Sequence, residues 1–556
     1  MIVYLLISLL AVVARLCLWG GYHSTDFEVH RNWMAITYHF PFREWYFEET
    51  SIWTLDYPPF FAYFEWILAN FAAAIFGSDD PAILRISENA VVSKNIIMFQ
   101  RTTVVICDFV LFVAAAKYIS NAANGDGDRA GAKMTTKDGY ITFALIAFNS
   151  GLLLVDHIHF QYNGLLLGIL ILCLNFAQSQ KYVASAITFS ILVLMKHLFV
   201  TLVPLFMVYF WSAYCAPHNI YTSFREKFWK LGRLILIALL MLTTAIGPLL
   251  WSEISNIKSF AYTRDEFKDV ALKQLQQLLT RLLPFGRGLV HTYWAPNVWA
   301  FYYASDRATI YLLTLIGVKS HAGVVSSVSG VLGDVHPVVL PTISAKVCLM
   351  LTFLSMAPAL VQIYKKPTSD KLVQSVVYCS MCAFMLGYHV HEKAILVPLV
   401  IQTLLMFSSP KSYIKEVKGD IPSTVYLFIV LAVAGIFGLF PLFIDSRELV
   451  IKTLLHMAFV AAIFFIPDLS SCRDETGNEK EKKMVATYVT EKNMSQFPLR
   501  YLLTIFIVLH GYNNFGHTYF EAFIGRKLEF LPLMLTSVIA AIFLVYAWAL
   551  SLQQLF

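Results

Sequence analysis

Five short stretches hold most of the clustered ionisable and aromatic side chains of this chain, and long apolar runs separate them. The first, His23-Ser-Thr-Asp-Phe-Glu-Val-His-Arg-Asn-Trp33, sets Asp26 close to Glu28 and Arg31, which are candidates for binding substrate. A carboxylate near an aqueous interface is ionised at neutral pH, which gives Asp26 the chemistry of a general base. The alternative is a solvated acidic loop that only sets topology. The second, Trp53-Thr-Leu-Asp-Tyr-Pro-Pro59, puts Asp56 before two prolines that begin a helix, either as an N-cap or as a working group at the positive end of the dipole. The third, Asp156-His-Ile-His-Phe-Gln-Tyr-Asn-Gly164, offers His157, Gln161 and Asn163 to a polyhydroxylated ligand. Its Asp-x-His spacing also suits a metal, although two imidazoles and a carboxylate this close carry little weight. The fourth, His389-Val-His-Glu-Lys393, gives His391 and Lys393 to a lipid phosphate, or Lys393 to interfacial snorkelling beside Glu392. The fifth spans 251–340 and contains Arg281-Leu-Leu-Pro-Phe-Gly-Arg-Gly288 and His291-Thr-Tyr-Trp-Ala-Pro-Asn-Val-Trp299. Aromatic rings beside Asn297 and Arg287 suit sugar faces and phosphates, and equally an aromatic belt.

The elements that carry these stretches must lie in a bilayer. Of 556 residues 58% are apolar and 14% charged, with a mean hydropathy of +0.63, which excludes a soluble fold. The net charge of +6 is spread over loops without a basic tract, so it records topology and gives no support to nucleic-acid binding. Segment 21–57 carries Asp26, Glu28, Glu44, Glu48, Glu49 and Asp56 against Arg31 and Arg43, and reads as lumenal. Lys/Arg excess at 215–231 and 364–372 reads as cytosolic. Fourteen crossings are expected, near 2–20, 102–119, 139–155, 165–179, 182–196, 198–214, 232–251, 341–363, 374–388, 394–408, 422–440, 450–467, 498–512 and 530–550, with both termini cytosolic. The run 60–76 contains Glu65 and is expected to be embedded on the lumenal side without crossing, and 260–283 to form an amphipathic helix. None of the eight cysteines falls in an expected lumenal loop, so no disulfide framework is implied, and the sequon Asn493-Met-Ser495 faces the cytosol. A secondary transporter would show polar residues deep in several helices and internal repeats; here the clusters sit at helix ends on one side, with Lys196-His197 as the main exception.

In order and spacing, Thr25-Asp-Phe-Glu-Val-His-Arg-Asn-Trp33, Leu55-Asp-Tyr-Pro-Pro59, Asp156-His-Ile-His-Phe-Gln-Tyr-Asn163, Pro284-Phe-Gly-Arg-Gly288 and Val390-His-Glu-Lys-Ala-Ile-Leu396 resemble the endoplasmic-reticulum glucosyltransferases that complete the dolichol-linked oligosaccharide for N-glycosylation. The resemblance implies an all-α polytopic membrane protein of the C-type glycosyltransferase fold, with about 14 transmembrane helices and lumenal loop helices. It implies one membrane-embedded domain over 1–556, with a catalytic module near 1–255, a lumenal loop at 252–340 and C-terminal helices at 341–556. Two related transferases share the pattern, and His23-Ser-Thr-Asp26, Trp53-Thr-Leu-Asp56 and His291-Thr-Tyr-Trp-Ala-Pro-Asn297 look like the one that adds the second glucose in α-1,3 linkage. The implied partners are a dolichyl-phosphate-glucose donor with a β-linked sugar, a dolichyl-diphosphate-linked oligosaccharide acceptor and membrane lipid. By the same resemblance Asp26 is the base and Asp56 supports the site, while His391, Arg287 and Lys393 meet the carrier phosphate. The family's relatives that bind metal use Asp-x-Glu where this chain has Asp156-His-Ile-His159, so no cofactor is expected.

Overall fold

The computed structural model describes residues 2–77, 81–124, 134–218, 222–255, 264–283, 288–291, 294–316, 337–407, 423–443, 447–470, 499–525, 528 and 530–556. Asn493, Cys472 and Arg287 lie outside them. Among the described residues helix is the only repeating structure, and one isolated parallel bridge joins Val290 to Val390. The cysteines among the described residues are free.

The chain forms two compact units, the first made of Met1–Asn121, Asp126–Asp128 and Leu152–Pro284. Its helices are α1 (Ile2–Cys17), α2 (Thr25–His39), α3 (Pro59–Phe76), α4 (Lys94–Asn124), the end of α5 (Thr136–Phe160), α6 (Asn163–Gln178), α7 (Tyr182–Met195), α8 (His197–Cys215), α9 (Phe224–Ser255) and α10 (Arg264–Leu282). The second unit is Ala122–Gly125, Arg129–Gly151 and Phe285–Phe556. It holds the start of α5, then α11 (Val298–Leu315), α12 (Ala345–Lys365), α13 (Ser369–Leu386), α14 (Leu396–Thr403), α15 (Ser423–Leu442), α16 (Glu448–Ser470), α17 (Leu499–Gly511), α18 (His517–Ile524) and α19 (Leu531–Gln553).

Eight helices among the described residues are long and apolar enough to cross a bilayer, and seven of them fall on expected crossings. The chain is a multi-pass membrane protein. One of the eight is α3, an 18-residue helix, so the run expected to stay embedded on one side is long enough to cross. By contrast α1, α6 and α7 have 16, 16 and 14 residues. At 1.5 Å per residue they measure about 21–24 Å, short of a hydrocarbon core of about 30 Å. Burial separates lipid-facing from central helices: 11% of the Phe224–Leu250 window is buried, against 94% of Ser423–Leu442. Ile235, Leu236, Leu239 and Leu240 of α9 are exposed accordingly, as expected where the solvent is lipid.

The expected amphipathic helix appears as α10, with Leu272, Leu279 and Leu283 at its exposed apolar edge. Its polar side chains bind backbone: Gln274 donates to the Arg43 carbonyl at 3.0 Å, Gln277 to the Tyr46 carbonyl at 2.9 Å and Arg281 to the same carbonyl at 3.0 Å. Arg281 also pairs with Glu49 at 2.5 Å. The helix therefore clamps the acidic segment that leads to Asp56.

Candidate active site

In the first unit, α2 begins because Ser24 caps it, accepting a hydrogen bond from the Asp26 N–H at 3.1 Å and donating its own hydroxyl to the His159 carbonyl at 2.5 Å. Asp26 thus stands in the first turn, where the helix dipole favours a carboxylate, and is tied to the third motif by its own cap. The tie continues through side chains. Gln161 donates to Asp26 Oδ2 at 2.6 Å, and His159 Nε2 lies 3.3 Å from the same oxygen. The Asp26 side chain remains 23% exposed while that of His159 is 8% exposed, so the carboxylate is braced from within and open from without.

Local backbone explains how the third motif reaches Asp26. The end of α5, Leu153–Phe160, is a widened π turn, and its last residue, Phe160, takes φ +87°, a conformation costly for a bulky residue. The reversal carries Gln161 into extended backbone and lets α6 start at Asn163. The Phe160 ring fills the turn against Phe27 at 5.0 Å and His30 at 5.4 Å. Behind it Asp156 accepts from Asn163 Nδ2 at 2.8 Å and from the Gly164 N–H at 2.7 Å. Asp108 of α4 meets Arg15 at 2.5 Å and His157 Nε2 at 2.8 Å, and Arg101 donates to the carbonyls of His157 and Tyr22. Gly164 is required here, because a Cβ would come 2.0 Å from Asp108 Oδ1.

The sequence candidates therefore divide. Asp26, Gln161 and Asn163 share one network, joined by Lys196, whose Nζ donates to Asn163 Oδ1 at 3.2 Å and Gln161 Oε1 at 3.5 Å. His157 is buried and turned to Asp108. Glu28 and Arg31 are buried against each other at 2.6 Å, with Arg31 also donating to the Arg85 carbonyl and Glu28 accepting from the Val91 N–H. Their polar atoms fasten α2 to the segment before α4. Asp56 is not the cap of α3: Pro58 occupies that position and Pro59 is the first helical residue. The segment before it is held by Asn32 and Trp33, which donate to the Trp53 and Thr54 carbonyls, both at 3.0 Å. Burial pushes the Tyr57 phenol well above its ordinary value, and the charges of Asp56, Asp26 and Asp156 push it further. Sequence spacing does not show that His159 meets Asp26, which the reversal at Phe160 brings about, or that Lys196 joins the site through Gln161 and Asn163.

In the second unit the fourth and fifth motifs meet. The His389 N–H donates to the Leu289 carbonyl at 2.8 Å beside the Val290–Val390 bridge, and His389 takes φ +53°. The ring centroids of His291 and His391 are 4.1 Å apart, with His389 5.7 Å from each. Asn297 caps α11 and also donates to the Phe384 carbonyl at 3.1 Å, while Trp299 Nε1 donates to the Gly387 carbonyl at 2.8 Å. Leu289, Val290, Trp299, Tyr303 and Cys348 form the apolar floor. His391 and Lys393 are half-buried and Glu392 is 1% exposed. Ligand atoms of His291, His391 and Glu392 lie within 4.8 Å of one another, the one grouping among the described residues with the composition to hold a metal; the third motif does not form such a set.

A partly exposed carboxylate, braced by amide and imidazole in a bundle of apolar helices, suits proton abstraction from a hydroxyl at a membrane surface. The ALG6, ALG8 glycosyltransferase family model matches residues 11–551. Among curated relatives, the dolichyl pyrophosphate Glc1Man9GlcNAc2 alpha-1,3-glucosyltransferase of Neurospora crassa is 35% identical over 97% of this chain and 96% of its own length. Those of the same name from Arabidopsis thaliana and Mus musculus are 33% and 35% identical, over 98% and 95% of this chain and 96% and 90% of their own. With the match running nearly end to end, this chain belongs to the ALG6, ALG8 glycosyltransferase family.

Proposed function

We propose that this chain transfers glucose from dolichyl-phosphate-glucose to the monoglucosylated high-mannose dolichyl-diphosphate oligosaccharide, forming the α-1,3 linkage of the second glucose. Its relatives carry that acceptor and linkage in their names over nearly the whole length. The observation that carries the mechanism is the Asp26 carboxylate, open to solvent and held by Gln161 at 2.6 Å.

A β-linked donor and an α-linked product require inversion, which one in-line displacement accomplishes. Asp26 takes the proton of the acceptor 3-hydroxyl as its oxygen bonds to the anomeric carbon. The bond to phosphate oxygen breaks, and its electron pair leaves as dolichyl phosphate. Positioned base catalysis contributes about 10²- to 10⁴-fold in rate. No general acid is needed, because the phosphate departs as a stable anion. His391, Lys393 and Arg287 are assigned to the carrier phosphate, Asp56 to positioning, and Gln161 and Asn163 to the sugar. The reaction is assigned no metal, and the site is placed on the lumenal face of the endoplasmic reticulum.

The test is product formation by purified protein given dolichyl-phosphate-glucose and monoglucosylated acceptor lipid in detergent. Extension of the unglucosylated acceptor alone would move the chain to the first glucose. Activity lost on chelation and restored by a divalent ion would overturn the metal-free assignment and point to His291, His391 and Glu392.

A further inference from the structure

We propose that Lys196 is a further group whose positive charge meets the donor phosphate as it departs. The inference rests on the glucosyl-transfer reading above. Lys196 ends α7, and its Nζ donates to Asn163 Oδ1 at 3.2 Å and Gln161 Oε1 at 3.5 Å, lying 5.3 Å over the Tyr57 ring. The same Gln161 side chain donates to Asp26 Oδ2 at 2.6 Å through its other amide atom. One amide group therefore stands between the base and an ammonium.

In an in-line displacement the anomeric carbon lies between the attacking and leaving oxygens, so the base and the cation for the leaving group belong on opposite sides of it, several ångströms apart. The Gln161 amide spans such an interval. The amide oxygens of Asn163 and Gln161 that accept from Nζ are neutral and at the long end of the hydrogen-bond range. A phosphate oxygen makes the stronger, charge-assisted bond and displaces either without leaving a charge uncompensated. The Tyr57 ring face and the C-terminus of α7 both favour a cation at this point. In the step itself Lys196 exchanges no proton; the charge released onto phosphate is neutralised in place.

The experiment compares wild type with Lys196→Met, Lys196→Gln and Lys196→Arg, as purified full chains, measuring kcat, acceptor KM and inhibition by dolichyl phosphate. Both uncharged variants should lose about 10²-fold in kcat with acceptor KM unchanged, and dolichyl phosphate should inhibit them about tenfold more weakly. Lys196→Arg, which keeps a charge, should recover most of both. Two uncharged replacements of different polarity keep the test decisive if one folds poorly. Dolichyl phosphate inhibiting the uncharged variants as strongly as wild type would overturn the proposal, even if the pH profile moved. Wild type that makes no product would sink the transfer reading instead. In that case thermal stabilisation by dolichyl phosphate decides for Lys196: lost in the variants it supports the proposal, and equal to wild type it refutes it.

Discussion

The Gln161 amide donates to Asp26 Oδ2 at 2.6 Å across 135 positions of sequence, and this bond joins the first and third motifs into one site. A hydrogen bond to a charged group is worth about 1.5–3 kcal/mol, or about 10- to 10²-fold in rate if it is needed in the transition state. Gln161→Leu should lose that much in kcat with the thermal midpoint little changed. Gln161→Glu sets a second carboxylate against Asp26, disfavours its ionisation and should move the acidic limb of the pH-rate profile upward. A profile identical to wild type in Gln161→Glu would separate Gln161 from the base.

Gly164→Ala tests the packing behind the site. Its Cβ would meet Asp108 Oδ1 at 2.0 Å and Asp156 Oδ2 at 3.5 Å, so the carboxylate bound by Arg15 and His157 must move. Overpacking of this kind costs about 1–3 kcal/mol. The thermal midpoint in detergent should fall and activity with it. An unchanged midpoint would mean that α4 and α6 pack more loosely than described.

Asn297→Ala tests the floor of the second unit. It removes the α11 cap and the donor to the Phe384 carbonyl. Loss of the cap alone costs about 1 kcal/mol. The variant should be less stable by at least that much in denaturant titration, and Asn297→Asp, which keeps the cap but not the donor, should recover part of it.

His23 gives a pH signature. Burial lowers its affinity for a proton, and the Arg101 charge lowers it further. The folded chain therefore binds this proton less well than the unfolded chain, so the contribution of His23 to stability is complete above the ordinary imidazole range and is lost as pH falls through the folded value. His23→Gln should flatten the fall in thermal midpoint between pH 7 and about pH 5. A fall as steep as that of wild type would assign it to other groups.

Helix was legible in the sequence and contact was not. Hydropathy placed the apolar helices, because an apolar run in lipid has no alternative to internal hydrogen bonding, but it did not place α2, α11 or α18. It left α3 embedded without crossing because of Glu65, whereas the helix is long enough to cross and the carboxyl is buried in a bond to His30 at 2.7 Å. Asp26, Gln161 and Asn163 were legible as candidates because polar side chains between apolar runs have few other reasons to cluster. Glu28 and Arg31 looked the same in sequence, yet spend their charges on each other. What decides between them is the left-handed turn at Phe160, and no residue type announces it, since glycine is absent there. His291 belonged to a string taken as aromatic, and only the bridge from Val290 to Val390 brings it to His391.

The central claim is that Asp26 removes the acceptor proton, and single-turnover product formation tests it most directly. Wild type and Asp26→Asn, each saturated with dolichyl-phosphate-glucose, would be mixed with monoglucosylated acceptor lipid and the diglucosylated product followed in time. The asparagine keeps the shape of the site without a base, so the product rate should fall at least about 10²-fold. Equal rates in the two proteins would contradict the account.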